Sequence, residues 1–336
     1  MKVPFVHGPG DLRLDEVAPP RAGARDVVVR VATVGICGSD LGYVAMGGIA
    51  GPGPHPIPLG HELSGTVAAC GGEVTDFAPG DRVIVNPLFN GIGNGGPEGG
   101  FADLLLVRDV VAQPKSLWHL PDHLSFDQGA LVEPLAVAQH AVNRAAAHAG
   151  ETVALFGAGP IGLGIVVALR RRGVSDIVVF DLSPHRRACA LQLGARLAVN
   201  PCEVTMREVL GDAHGSSALW GMDVVNTNVF IEASGAASVI PDIVACAGFQ
   251  ARLLVVSIQK KPVAVDFQTV LGKEMTISAA MGYPDEFPDV IAMLASGDVD
   301  VSPMVSHHFD GADFMAAFET AKRAESAAKV LVRYAR

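Results

Sequence analysis

The 336 residues are 49% hydrophobic and 18% charged, a balance that excludes a disordered chain and, at this length, calls for two packed domains. The formal charge of −10, with nothing basic concentrated enough to neutralise a phosphate backbone, argues against a nucleic-acid partner. Five cysteines stand singly without a Cys-x-x-Cys pair, the pattern of reduced thiols and not of a disulfide framework.

Met1 to Gly8 carry no apolar signal core, so a cytoplasmic location is expected. The first part of the chain is strand-rich and poor in helix signals. Residues 27–34 are β-branched with partial alternation, and 82–85 follow a Pro79-Gly80-Asp81 turn, which predicts an irregular β-barrel-like domain. The Gly/Pro-rich stretch 47–58 suits a loop that delivers a ligand to a cleft. Three short strings carry chemistry: Gly35-Ile36-Cys37-Gly38-Ser39-Asp40, Gly60-His61-Glu62 and Leu131-Val132-Glu133-Pro134. Together they offer a thiolate, an imidazole and carboxylates, the donor mix that Zn2+ accepts. Singly, Cys37 reads as a small buried hydrophobe and His61 as a packed or surface histidine. Glu133 resists such a reading, because an unpaired carboxylate in an apolar stretch is costly to bury.

From about residue 136 the pattern changes to α/β alternation. A strand over 152–156 precedes a helix over 161–172 and a second strand over 176–180; further strands are predicted at 222–225, 229–232, 252–256 and 276–278. Short continuous apolar strands between helices indicate a parallel sheet covered on both faces. The apolar stretch 153–169 is short and glycine-rich for a membrane span, so no membrane partner is expected. Between the first strand and its helix stands Gly157-Ala158-Gly159-Pro160-Ile161-Gly162. Its glycines allow a tight turn and close approach of the backbone to a pyrophosphate, and Pro160 sits where a missing donor costs little. Asp181, at the end of the second strand, would accept hydrogen bonds from the adenosine ribose and repel a 2′-phosphate, favouring NAD over NADP. Arg186 is a further candidate cofactor contact; Arg187 beside it also reads as part of a solvated helix face. A helix over 288–296, a segment around 304–309 and a helix over 312–324 are expected to return to the first domain. The domains are then 1–135 with 281–336, and 136–280.

The order of these motifs resembles the zinc-dependent medium-chain dehydrogenase/reductase family across nearly the whole chain. The string Ala130-Leu131-Val132-Glu133-Pro134-Leu135-Ala136-Val137-Ala138 looks most like its sorbitol, butanediol and threonine dehydrogenase branches. The resemblance implies a Rossmann doubly wound parallel sheet for NAD beside a GroES-like β-barrel catalytic domain. It implies Cys37 and His61 as catalytic zinc ligands, with Glu62 or Glu133 at the remaining protein position, the sequence leaving the two open. Ser39 matches the hydroxyl that accepts the alcohol proton, and Asp40 is read as fixing the loop. The implied reaction moves a hydride between a secondary alcohol or vicinal diol, with its matching ketone, and NAD. A polyol, sugar or L-threonine-type dehydrogenase and a non-catalytic nucleotide-binding relative are the alternatives. A homodimer or homotetramer is expected from the habit of the family.

Two departures stand out. Gly42 occupies the position where many members carry a relay histidine; His55 is a candidate substitute, beside its plainer reading as a loop histidine. The stretch 86–100 has no cysteine where many members hold a structural zinc, so one catalytic zinc per chain is expected. Phe89 and Asn90 in that stretch are candidate walls of the substrate cleft, equally readable as part of a flexible surface loop. Gly42, Tyr43, Met46 and Phe89 would shape a roomy, partly apolar pocket. His307 and His308 align loosely with a segment that borders the substrate in the sorbitol branch, where an arginine often stands; they also read as a solvated strand end.

Overall fold

The β-branched run near residue 30 becomes the ten-residue strand Val27–Ile36, and the first sheet is built around it. The computed structural model that gives this architecture describes residues 1–334. Glu62–Cys70 pairs antiparallel with this central strand, followed outward by Arg82–Val85 and Leu117–His119, while Leu104–Val107 also pairs with it. On the other side lie Lys329–Arg333 and then Val305–Asp310, so the C-terminal segment completes an N-terminal sheet. Val27, Val29, Val31 and Val34 point into one core with Leu63, Val83, Phe101, Phe314 and Val330. Each such side chain contributes about 1.5–3 kcal/mol by leaving water.

The second sheet runs Leu197–Val199, Asp176–Phe180, Thr152–Phe156, Val229–Glu232, Arg252–Val255, Thr276–Ala279, with all strands parallel. In chain order this is 3-2-1-4-5-6, the doubly wound arrangement. Successive residues feed opposite faces. Val153, Leu155, Val179 and Ile231 meet Leu135 and Val142 of helix Val132–Ala145 and Leu163 and Val166 of helix Pro160–Arg171. Ala154, Phe156, Val178 and Phe230 meet Leu210, Ile243 and Val270 on the other side. Burial on both faces explains why these strands read as continuous apolar runs. The strand order reverses between Thr152–Phe156 and Val229–Glu232, which opens a crevice at their C-terminal ends.

Several elements differ from the sequence expectation. Residues 222–225 form no part of the parallel sheet; Met222–Val225 makes an antiparallel hairpin with Ser216–Leu219. Trp220 and Gly221 turn it with φ of 50° and 79°, the backbone that a tight two-residue hairpin needs. The short Leu197–Val199 takes the third-strand place instead. Helix Gly38–Met46 was hidden by Gly38 and Gly42, which weaken helix propensity, yet Asp40 caps its start by accepting the Cys37 N–H at 2.8 Å. The last predicted helix is shorter, Phe314–Ala321, and gives way to the unanticipated strand Lys329–Arg333. Among the described residues no helix is long and apolar enough to cross a membrane.

Candidate metal and cofactor site

Strand pairing brings the first two motif strings together. Gly35 is the register partner of Glu62, so Cys37, just past the end of one strand, faces His61, just before the start of the other. A ligand atom from each of Cys37, His61 and Glu62 lies within 4.8 Å of the others. A Cβ on Gly35 would stand 2.1 Å from Glu62 Oε2, so any larger residue here would displace that carboxylate. His61 is buried, with Nδ1 3.5 Å from Asp40 Oδ1 and Nε2 3.3 Å from the Ser39 hydroxyl. Neither His61 Nδ1 nor Asp40 Oδ1 completes a hydrogen bond. Burial alone would lower the imidazole pKa, but the Asp40 and Cys37 charges outweigh it and hold the group well above its ordinary value.

The third string contributes Glu133, in the first turn of helix Val132–Ala145 and 6% exposed. It lies outside the three-residue cluster, but its carboxyl feels that cluster: burial first, opposed by His61 and reinforced by Glu62, pushes it up to about 7. Tyr283 stands beside it with a buried hydroxyl that completes no well-formed hydrogen bond. The segment carrying Tyr283 is registered on the same helix, because Glu286 Oε1 contacts His140 Nδ1 at 2.7 Å and accepts from Asn143 at 3.0 Å.

Two residues here escaped the sequence reading. Lys329 donates to both Glu62 oxygens, at 2.6 and 2.5 Å, and to the Ile36 carbonyl at 3.1 Å. Its signal was a lone lysine entering the apolar run Val330-Leu331-Val332, which requires a buried partner. Tyr283 gave no signal beyond a Gly-Tyr-Pro turn.

The remaining candidates divide. Tyr43 is half-buried next to Ser39 and His61 and donates to Asn94 Oδ1 at 3.0 Å. The glycine-rich stretch is packed: Ile92 is fully buried, and Gly100 N donates at 2.8 Å to the carbonyl of Gly60, in the turn that presents His61. Asn90 is engaged with the 108–113 segment, accepting from Arg108 N and donating to Gln113, both at 3.1 Å. Met46, His55 and Phe89 are exposed. His308 contacts Asp127 of helix Phe126–Ala130 at 3.0 Å and His307 contacts Ser306 at 2.9 Å, and neither belongs to the Cys37–His61–Glu62 cluster.

The glycine string lies where the crevice opens. Gly157 has φ of 95°, and a Cβ at Gly162 would come within 1.9 Å of the Gly157 carbonyl. Pro160 begins the helix, with Ile161 in its first turn, leaving free N–H groups aimed outward. A cavity of about 1030 Å3 extends from Gly157 and Gly159 past Asp181 and Arg186 to Ser234 and Glu325. Asp181 accepts from Ala158 N at 2.6 Å and Ser183 N at 2.7 Å, joining the two strand ends. Arg186 donates Nε to the Ala327 carbonyl at 2.8 Å, and burial lowers its pKa against the pull of Asp181. Arg187 instead binds the Asp181 and Leu182 carbonyls.

Comparison with known proteins gives concordant matches. The family described as "Alcohol dehydrogenase GroES-like domain" matches residues 23–120, and "Zinc-binding dehydrogenase" matches residues 160–296. Sorbitol dehydrogenase of Macaca fascicularis is 34% identical over 333 residues, covering 95% of this chain and 92% of the relative. (R,R)-butanediol dehydrogenase of Bacillus subtilis is 32% identical, covering 99% of each. The crystal structure of 2R,3R-butanediol dehydrogenase from Bacillus subtilis superimposes with a TM-score of 0.85 at 30% identity, again covering 99% of each chain.

Proposed function

Because the chain belongs to the zinc-dependent medium-chain dehydrogenase/reductase family, we propose that it is a zinc- and NAD-dependent oxidoreductase acting on a secondary alcohol or vicinal diol and the matching ketone. The observation that carries this is the Cys37–His61–Glu62 cluster, its histidine and glutamate buried, with Glu133 against it, in a chain that also forms a dinucleotide crevice. Residues 1–135 with 281–336 form the catalytic domain in this reading and 136–280 the NAD domain; the pairing of Lys329–Arg333 with Val27–Ile36 supports that division.

The donor set fits zinc. Thiolate, imidazole and carboxylate are its usual protein ligands, and with Nδ1 turned toward Asp40, His61 keeps Nε2 for an ion. Lys329 clamps both Glu62 oxygens, whereas among the described residues no ion pair is formed by Glu133, which supports Glu133 as the carboxylate free to ligate. A zinc ion at Cys37, His61 and a carboxylate supplies Lewis acidity toward the substrate oxygen, and NAD supplies the hydride acceptor. Asp40 orients the imidazole as a carboxylate partner. Ser39 Oγ, beside His61, would accept the alcohol proton as its own hydroxyl proton passes on to solvent. Asp181 receives the adenosine ribose hydroxyls and Arg186 lies at the same end of the cleft. The lack of cysteine in 86–100 supports a single zinc per chain.

A polyol dehydrogenase is the second reading, favoured by the 34% identity to sorbitol dehydrogenase. The test is the appearance of NADH from NAD with a panel of secondary alcohols, vicinal diols and polyols, each with and without a zinc chelator. Chelator-sensitive oxidation of secondary alcohols or diols is expected. No oxidation of any of them by zinc-loaded protein would remove the proposal, and oxidation of polyols alone would replace it with the second reading.

A further inference from the structure

Glu232 ends the central strand Val229–Glu232, paired with Val255 on one side and Phe156 on the other. It therefore sits where the strand order reverses. Its side chain is fully buried, and among the described residues no ion pair balances it. All of its partners come from two loops. Oε1 accepts from Ser234 N at 2.7 Å, Ser234 Oγ at 2.5 Å and Gly235 N at 2.9 Å. Oε2 accepts from the Ser257 hydroxyl and from Gln259 Nε2, the latter at 2.8 Å. One loop follows its own strand and the other follows Arg252–Val255.

The first of these loops borders the dinucleotide crevice, and the second packs against it. Ala233, Ser234 and Ala236 line the cavity. Ser234 N lies 2.8 Å from the place a Cβ on Gly157 would take, so this loop is pressed onto the glycine turn. A Cβ on Gly235 would in turn stand 3.2 Å from the Ile258 carbonyl of the second loop. A buried carboxylate without a cation is costly, and here the donors that offset the cost all belong to the two loops.

We propose that Glu232 is a positioning residue for the cofactor: its carboxylate ties loop 233–236, which lines the dinucleotide cleft, to loop 256–259 and so holds that wall in place. The inference rests on the cofactor reading above. Glu232→Gln removes the charge and turns one of the two acceptor oxygens into an NH2 group, so the side chain no longer accepts from both loops through two carboxylate oxygens. Fluorescence titration of zinc-loaded protein is expected to give an NADH Kd raised about tenfold or more, the fold-change for losing hydrogen bonds to a charged group. KM for NAD should rise in step while kcat at saturating NAD, zinc content and Tm stay near wild type. Ser257→Ala, which removes one donor from the second loop and keeps the carboxylate, should give a smaller rise and remains available if the first variant does not fold. Wild-type NADH affinity in both variants would overturn the inference alone, as would a loss that merely tracks Tm and zinc content. Failure of the wild-type protein to bind NADH would contradict the cofactor reading and this inference together.

Discussion

Lys329 Nζ stands 2.6 and 2.5 Å from the two carboxylate oxygens of Glu62, with both side chains buried. The contact exists because the last strand pairs with the first long one, Val330 against Ile36, while Glu62 pairs with Gly35 next door. Burial would lower the amine pKa, but the Glu62 and Cys37 charges outweigh it and hold Lys329 above the ordinary lysine value. A residue 267 positions further along the chain thereby compensates a charge inside the Cys37–His61–Glu62 cluster. Lys329→Met should destabilise the protein by about 3–5 kcal/mol, because it strands a buried carboxylate. Urea unfolding measures this, and the Lys329→Met/Glu62→Gln pair should recover most of the loss. A single variant within experimental error of wild type would mean that the contact carries no such weight.

Asp40 faces His61 from the first turn of its helix, at 3.5 Å. Asp40→Asn should weaken zinc affinity about 10–100-fold, as removal of a carboxylate behind a metal-bound histidine does. Competition against a chromophoric chelator reads this directly. Unchanged affinity would leave Asp40 only its capping bond to Cys37 N.

Asp181 supports the choice of NAD. Replacing it by alanine should lower the ratio of kcat/KM for NAD over NADP by about tenfold or more, roughly 1.4 kcal/mol. Because the same carboxylate accepts from Ala158 N and Ser183 N, activity with both cofactors should also fall. Only the ratio bears on recognition of the ribose, and a constant ratio would dismiss it.

Asp127 joins three elements, contacting His308 at 3.0 Å, accepting from Thr33 at 3.0 Å and pairing with Arg333. Burial alone would raise its carboxyl pKa, but the bonds from Arg333 and Thr33 outweigh that and hold it below the ordinary value. A carboxyl depressed in the folded state adds stability that is present above the unfolded-state value, about 3.9, and is lost as pH falls through the folded one. The stability gap between wild type and Asp127→Asn should accordingly be largest near neutral pH and close in strong acid. Urea midpoints measured from pH 7 downward check this; a gap independent of pH would refute the assignment.

The alternation of strand and helix after residue 150 was legible because both sheet faces are buried, which writes each strand as an apolar run. The glycine string and Asp181 were legible because a turn with Gly157 at φ of 95° leaves few residue choices. Cys37, His61 and Glu62 were legible as a zinc donor set from their residue types, but not their proximity, which comes from strand pairing across 24 to 25 residues of sequence. Lys329 was illegible for the same reason at far greater separation: nothing local says that 329 lies against 62. Helix Gly38–Met46 hid behind its glycines, and Met222–Val225 imitated a sheet strand because its hairpin turn, Trp220-Gly221, has only one glycine to announce it.

The most direct measurement of the central claim is zinc content per chain in the wild-type protein and in Cys37→Ala, by atomic spectroscopy, with NADH titration on the same samples. One zinc per wild-type chain, none in the variant, and NADH binding retained in both is the predicted result. Zinc retained at full occupancy in Cys37→Ala, or two zincs per wild-type chain, would contradict a single catalytic ion held by Cys37 and His61.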